Sequence, residues 1–514
     1  MIYHCEDHTC NYWDEGEKLP ERCPQCGRKL LRANEADMTG DDWTALGNTL
    51  WDAEASDKKR MVDCFRKAAY LGSAWGVCNL GICMEQGNGV EADPVQAFWL
   101  YQQAVEMGSL NAVCCLGVCY QYGIGTAPDA EKAAELYCKA AEYGSPRGQM
   151  LLARAFHDGI GVEADAAEAV HWVRAAAYQR YGEGMHRLGV CYAYGDGVEQ
   201  NWEHAVHWFR EAAESGVSVA MTDLGYCYEK GCGVEQSWEQ AFSWYRRGAE
   251  CGDPVSMCNL GLCYKMGHGV EQNWQEAIKW YEQGAQCGDL QSMNNLAYCY
   301  ERGEGVEQNE DRALYWYRRG AEAGSVHCMF CLGWNYSNGV GVKQDMTEAI
   351  RWYTAAAEGG NAAAMHSLGW HYDHGEGVEQ DMKKAIYWYE RAAEQNRPAA
   401  MNSLGECYAM GRGVPRDLET AMEWYRRAAE LGEAMADYNM GWHLEQAGKL
   451  SEAYAHYRKA ADGNDDSAWW ALGRFYENGV VVAQDGKEAR RCYETGEKLG
   501  SVKCKMRLAR CKLL

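Results

Sequence analysis

A Leu-Gly pair, or a close variant of it, returns every 36 residues along most of this chain, and that period excludes an ordinary globular fold. The leading residue of the pair is Leu80, Leu116, Leu152, Leu188, Leu224, Leu260, Leu296, Leu332, Leu368, Leu404 and then Met440. A unit of this length cannot bury its own apolar face, so it must stack on its neighbours. Leu46 lies 34 residues before the series, Leu472 lies 32 after it and Leu508 follows by another 36. The spacing predicts about thirteen helical pairs and a lone closing helix.

Within each unit the pattern resolves into two helices. A small residue stands four before the Leu (Ala220, Ser256, Ala364, Ala400), Met commonly three before it (Met221, Met293, Met365), and Tyr commonly four after it (Tyr228, Tyr300, Tyr372). Offsets −4, −3, 0, +3 and +4 make one apolar helical face. A Gly-x-Gly such as Gly195-Asp196-Gly197 then ends the helix, since glycine accepts the left-handed conformation of a C-terminus. These loops occur in nearly every unit and never precede Gly-Lys-Ser/Thr, so they read as caps rather than phosphate cradles.

The second helix opens on an N-cap type, for example Asp93, Asn201, Ser237 or Asp381. Glu276 and Glu348 are expected to complete capping boxes with Asn273 and Asp345. An Ala-x-x-Trp-Tyr-x-x-Ala pattern follows, its Trp recurring 36 apart from Trp172 to Trp424. Aromatics of that regularity are read as packing between repeats.

Together, Leu-Gly-x-x-Tyr, Gly-x-Gly-Val and Ala-x-x-Trp-Tyr-x-x-Ala-Ala resemble the Sel-one-like repeat, a branch of the tetratricopeptide superfamily. The resemblance covers roughly residues 43–514. It implies an all-α fold, a right-handed α-solenoid of helix-turn-helix repeats, that scaffolds protein complexes, and it implies no particular reaction. One unit departs from it: after Met440 the Gly-x-Gly-Val insert gives way to Gln446-Ala447-Gly448-Lys449-Leu450, similar to an ordinary tetratricopeptide turn.

The 25 cysteines divide by position. Cys83, Cys119, Cys191, Cys227, Cys263, Cys299 and Cys407 all occupy the +3 slot of a first helix and read as small buried hydrophobes. The disulfide staple of similar secreted, cysteine-rich relatives implies Cys near −11 and −3, where this chain mostly has Ala or Gly and Met. Cys5, Cys10, Cys23 and Cys26 lie outside the repeats. Two knuckles carrying four thiolates suit one structural zinc ion, and Cys23-Pro24-Gln25-Cys26-Gly27 resembles a zinc ribbon. A segment this small would draw stability from a metal. His8 in place of Cys10, a redox-active Cys23/Cys26 pair and unligated thiols are the alternatives. Residues 1–32 are therefore read as a zinc-ribbon-like segment, 33–42 as linker and 43–514 as the solenoid.

In tetratricopeptide-like solenoids the first helices line the concave surface. Positions −2, +2 and +5 from the Leu are left over from packing and share one stripe. There the chain places Tyr226, Tyr298, Phe330, Trp334, His366, Trp370, Tyr438, Trp442 and Trp470. Exposed aromatics of this kind suit hot spots for a protein or peptide partner; the competing reading is that curvature buries them as core. His366, His371 and His374 share a helix, but His371 takes the packed +3 slot and no metalloenzyme spacing supports them.

The expected function is a non-enzymatic interaction scaffold. A hydrolase acting on β-lactams, implied for similar secreted relatives, is one alternative, although no nucleophile elbow or separate catalytic set is visible. A nucleic-acid adaptor working through the ribbon is another. The formal charge of −24 disfavours it, because phosphate binding needs a cationic surface. No apolar run approaches the ~20 residues that span a bilayer, and the start of the chain lacks a basic and apolar leader, so a cytoplasmic protein is expected.

Overall fold

Periodicity in the sequence becomes periodicity in space. A computed structural model describes residues 2–5, 13–15, 30–33, 35–51 and 55–511. They form two compact units, Met1–Gln272 and Asn273–Leu514.

The first unit begins with a small antiparallel sheet. Strand β1 (Ile2–Cys5) lies between β2 (Trp13–Glu15) and β3 (Leu30–Ala33), with Ile2 opposite both Glu15 and Ala33. Cys10, Cys23, Cys26 and His8 fall outside the described residues, and Cys5 is described only as backbone in β1. A short 3-10 turn, Glu35–Asp37, leads to the first α-helix, Gly40–Thr49. That helix opens within the stretch read as linker because Thr39 and Asp42 cap it reciprocally. Thr39 N donates to Asp42 Oδ2 (2.8 Å) and Asp42 N donates to Thr39 Oγ1 (3.2 Å).

Twenty-seven α-helices occur among the described residues, most of them thirteen residues long, alternating as first and second helices of successive pairs and ending with the closing helix Val502–Cys511. Each unit is thus built as an α-solenoid. None of the described helices is long and apolar enough to cross a membrane.

The caps follow the sequence closely. Asp129, Asn201, Asn309 and Asp417 accept backbone N–H bonds at the starts of second helices. The boxes expected at Glu276 and Glu348 are one-sided: Asn273 and Asp345 accept from the Glu backbone, while the Glu carboxylates face Lys279 (3.4 Å) and Arg351 (3.2 Å). A cation one turn away competes for the carboxylate that would otherwise turn back to the cap. First helices end on αL glycines, as at Gly195 (φ 73°). The second loop glycine has a further role. A Cβ on Gly161 would lie 1.9 Å from the Ala130 carbonyl oxygen, so the loop sits directly on the preceding second helix and fixes the step between repeats.

The Leu-Gly glycine is used for packing. A Cβ on Gly117, Gly225, Gly369 or Gly405 would fall 2.5–2.7 Å from the ring of Tyr137, Tyr245, Tyr389 or Tyr425 respectively. Each ring comes from the residue after the ladder Trp position (Leu136 in the Tyr137 repeat), on the second helix of the same repeat, and is almost wholly buried. Trp244 is buried and the other ladder Trp residues are half-buried against the core, with Arg247 over Trp244 (4.2 Å) and Arg427 over Trp424 (4.5 Å). The +3 cysteines are buried as expected, and burial pushes the Cys227 and Cys263 thiols up to about 12.

Candidate functional site

The three offsets of the first-helix stripe separate into a floor and a rim. At −2, rings lie over the ladder tyrosine of their own repeat. Phe330 packs on Tyr353 (centroids 5.9 Å apart), His366 on Tyr389 (5.7 Å) and Tyr438 on Tyr457 (5.7 Å). All three are half-buried. At +5, the side chain accepts a hydrogen bond from the ladder tyrosine hydroxyl: Tyr245 to Glu229 (2.8 Å), Tyr317 to Glu301 (2.8 Å), Tyr457 to Glu445 (2.7 Å) and Tyr493 to Glu477 (2.7 Å). Burial, reinforced by these carboxylates, holds the hydroxyls of Tyr245, Tyr317 and Tyr457 well above the ordinary tyrosine range, so the proton stays on the phenol.

In the second unit three of the +5 carboxylates also pair with an arginine of the following repeat. Asp373, only 4% exposed, meets Arg412 Nη1 at 2.9 Å; Glu445 meets Arg474 at 2.8 Å; Glu477 pairs with Arg507. The floor is therefore charge-balanced.

The rim is the +2 row, and it is open. In the second unit Tyr298 is 38% exposed, Trp334 40%, Trp370 36% and Trp442 39%; in the first unit Tyr226 is 46% exposed. Trp370 is steadied by stacking on His374 (4.3 Å, 23°). Trp470 differs, although it shares the −2 register. It is half-buried, with Arg474 (4.7 Å) and Lys503 of the closing helix (4.9 Å) over its ring. Of the nine aromatic and imidazole residues expected in the stripe, five thus stand at the rim, three form the floor and Trp470 packs beneath basic side chains.

The histidines serve packing and hydrogen bonding. His371 is buried and its Nδ1 lies 3.0 Å from the Glu376 carbonyl oxygen; His374 Nδ1 lies 2.9 Å from the Trp370 carbonyl oxygen. No group of three metal-ligating side chains occurs among the described residues. His366 Nε2 is 3.4 Å from Ser403 Oγ. Burial, and then the Arg397 charge, lower its pKa to about 4, which makes it a weak base for activating that hydroxyl.

One repeat that stripe spacing passes over is the Leu152 unit. Its signal is a paired departure: Ala153 replaces the Leu-Gly glycine and Val173 replaces the ladder tyrosine.

The Sel1 repeat model matches twelve segments between residues 76 and 501: 76–109, 112–145, 146–181, 182–217, 218–253, 254–289, 290–325, 326–361, 362–396, 398–433, 434–465 and 468–501. The chain belongs to the Sel1 repeat family. A crystal structure of c5321, described as a protective antigen in uropathogenic Escherichia coli strains with an SLR fold, is similar at 31% identity and a TM-score of 0.54, covering 87% of this chain and 90% of that one. A Sel1 repeat protein from Oxalobacter formigenes is also 31% identical, with a TM-score of 0.43, covering 48% of this chain and 96% of that one. Comparison with curated proteins returns no match. Sel1 repeats form a scaffold fold that typically mediates protein–protein interaction.

Keeping His366 neutral makes folding pH-dependent. Its pKa falls from 6.5 to about 4 on folding, so the stabilisation is full above pH 6.5 and is lost as pH falls toward 4. Urea unfolding at pH 7 and pH 5 should show the native chain losing up to ~2 kcal/mol more than His366→Gln over that interval. Equal losses in both proteins would show that His366 titrates alike folded and unfolded.

Proposed function

We propose that this Sel1 repeat chain is an interaction scaffold that holds a protein or peptide along the +2 row of its first helices. The observation that carries the reading is the set Tyr298, Trp334, Trp370 and Trp442, all exposed at one register of a unit whose other ladders are packed. Large, nearly rigid rings give a partner much contact area for little lost conformational freedom. The charge-balanced floor favours a partner that brings apolar or aromatic side chains over a strongly charged one. Neither the hydrolase nor the nucleic-acid reading is favoured by any observation above. A cytoplasmic setting belongs to the same proposal and is supported by the ladder of buried thiols.

One structural zinc ion on Cys5, Cys10, Cys23 and Cys26 is proposed as well. Its support is the spacing of the two knuckles together with the sheet register: Cys5 closes β1, and its partner Leu30 opens β3 four residues after Cys26. When bound, the ion would tie the two knuckles together; no further chemistry is assigned to it.

Trp334→Ala/Trp370→Ala should lower capture of partners from the native host at least ~30-fold by quantitative mass spectrometry, as expected for hot-spot rings. Helical content by circular dichroism should be unchanged. Lost helicity would instead identify these rings as core. Elemental analysis of freshly purified full-length protein should give about one zinc per chain, lost in Cys23→Ser/Cys26→Ser; clearly less than one in the native protein would remove the zinc proposal.

A further inference from the structure

The ladder tyrosine can be followed through twelve repeats, and it fails completely in one. The series runs Tyr101, Tyr137, Val173, Phe209, Tyr245, Tyr281, Tyr317, Tyr353, Tyr389, Tyr425, Tyr457 and Tyr493. Phe209 keeps the ring and loses the hydroxyl; Val173 loses both. The facing helix changes with it, since Ala153 stands where neighbouring repeats have the glycine that a ring covers. The methyl of Ala153 does not replace the missing ring.

What remains is a cavity of ≈ 520 Å³ in the first unit, between the first helices Pro146–Asp158 and Gly182–Tyr194 and the second helix Ala166–Tyr178. Its buried base is Ala153, Val170 and Val173. That size is ordinary for a small-ligand pocket. Its mouth is polar. His157 takes the +5 place, where no phenol now needs an acceptor, and bridges Asp158 (2.6 Å) and Asp196 (3.3 Å). Arg154 and Arg187 join the same two carboxylates, each at 3.4 Å. Arg147 also lines the cavity. Its Nη1 donates to Asn111 Oδ1 (2.7 Å) and to Cys115 Sγ (3.6 Å), outside the ion pairs of the mouth; Glu183, which also lines the cavity, accepts from the Tyr181 hydroxyl (3.3 Å). The pocket therefore combines an apolar base, where a ring is missing, with one guanidinium that takes no part in the ion pairs of the mouth.

We propose that this cavity binds an aromatic carboxylate, presented as the C-terminal Phe or Tyr of a peptide. The ring refills the space that a ladder tyrosine fills elsewhere, and the terminal carboxylate supplies the anion for Arg147. An arginine fork suits a carboxylate geometrically, and the bond is strengthened by both charges. This site lies in a different unit from Trp334 and Trp370, and its test involves no macromolecular partner, so it stands or falls separately from the scaffold reading.

The full-length protein is titrated with N-acetyl-phenylalanine, its amide and N-acetyl-alanine, followed by calorimetry and ligand-observed NMR. The acid should bind saturably at one site, and the amide and the alanine compound each at least ~5-fold more weakly. Arg147→Gln should bring the acid and the amide to equal affinity. Ala153→Gly/Val173→Tyr, which restores the ring-on-glycine pair, should abolish binding and melt no lower than the native chain. Should that variant fail to fold, the Arg147→Gln comparison decides alone. The proposal is overturned if the acid does not saturate the native protein, if acid and amide bind it equally, or if the folded refilled variant binds as well as the native one.

Discussion

A tyrosine ring laid on a glycine is the contact on which most of the repeats depend. The glycine of the Leu-Gly pair lets the second helix approach until the ring meets bare backbone, as with Tyr389 on Gly369 and Tyr245 on Gly225. The ring is too large to be buried with a free hydroxyl, since an unpaired phenol in the core is costly. In most repeats the residue five after the Leu supplies the acceptor, as Glu229, Glu301, Glu445 and Glu477 do. Packing of this one ring thus bears on two other positions of the first helix, +1 and +5. In one repeat Ala297 stands at the glycine position and the ladder Tyr317 is still almost wholly buried.

This constraint decides which parts of the stripe remain free for a partner. The +5 carboxylates are occupied by phenols, and Asp373, Glu445 and Glu477 are in addition paired with Arg412, Arg474 and Arg507 from following repeats. The −2 rings are drawn onto the ladder tyrosines. Only the +2 row projects past both, which is why Trp334, Trp370 and Trp442 are exposed while Phe330, His366 and Tyr438 are half-buried. The same constraint explains the cavity in the first unit: where Val173 withdraws the ring, its volume, its acceptor and its glycine all change together.

Much of this was legible in the residues alone. Helix count, caps, the buried Leu, Ala and Cys ladders and the register of the stripe follow from a 3.6-residue period imposed on a 36-residue repeat. Periodicity gives the face a side chain occupies but not what stands opposite it. For that reason the sequence grouped −2, +2 and +5 as equivalent, and included Trp470, whose ring the closing helix covers with Lys503. The reciprocal boxes at Glu276 and Glu348 failed on the same ground, because Lys279 and Arg351 lie close enough to take the carboxylates. The Leu152 pocket was visible only as two coupled departures, Ala153 and Val173, whose meaning depends on knowing that these two positions touch.

The most direct measurement is the stability of Gly369→Ala. Alanine is the better helix former by about 1 kcal/mol, so helix propensity alone would make the variant more stable. Its Cβ would stand 2.7 Å from the Tyr389 ring, and overpacking of that kind costs roughly 1–3 kcal/mol. Ring-on-glycine packing predicts a net loss of stability in urea unfolding, with Trp370 fluorescence perturbed beside it. An unchanged or increased stability would contradict it.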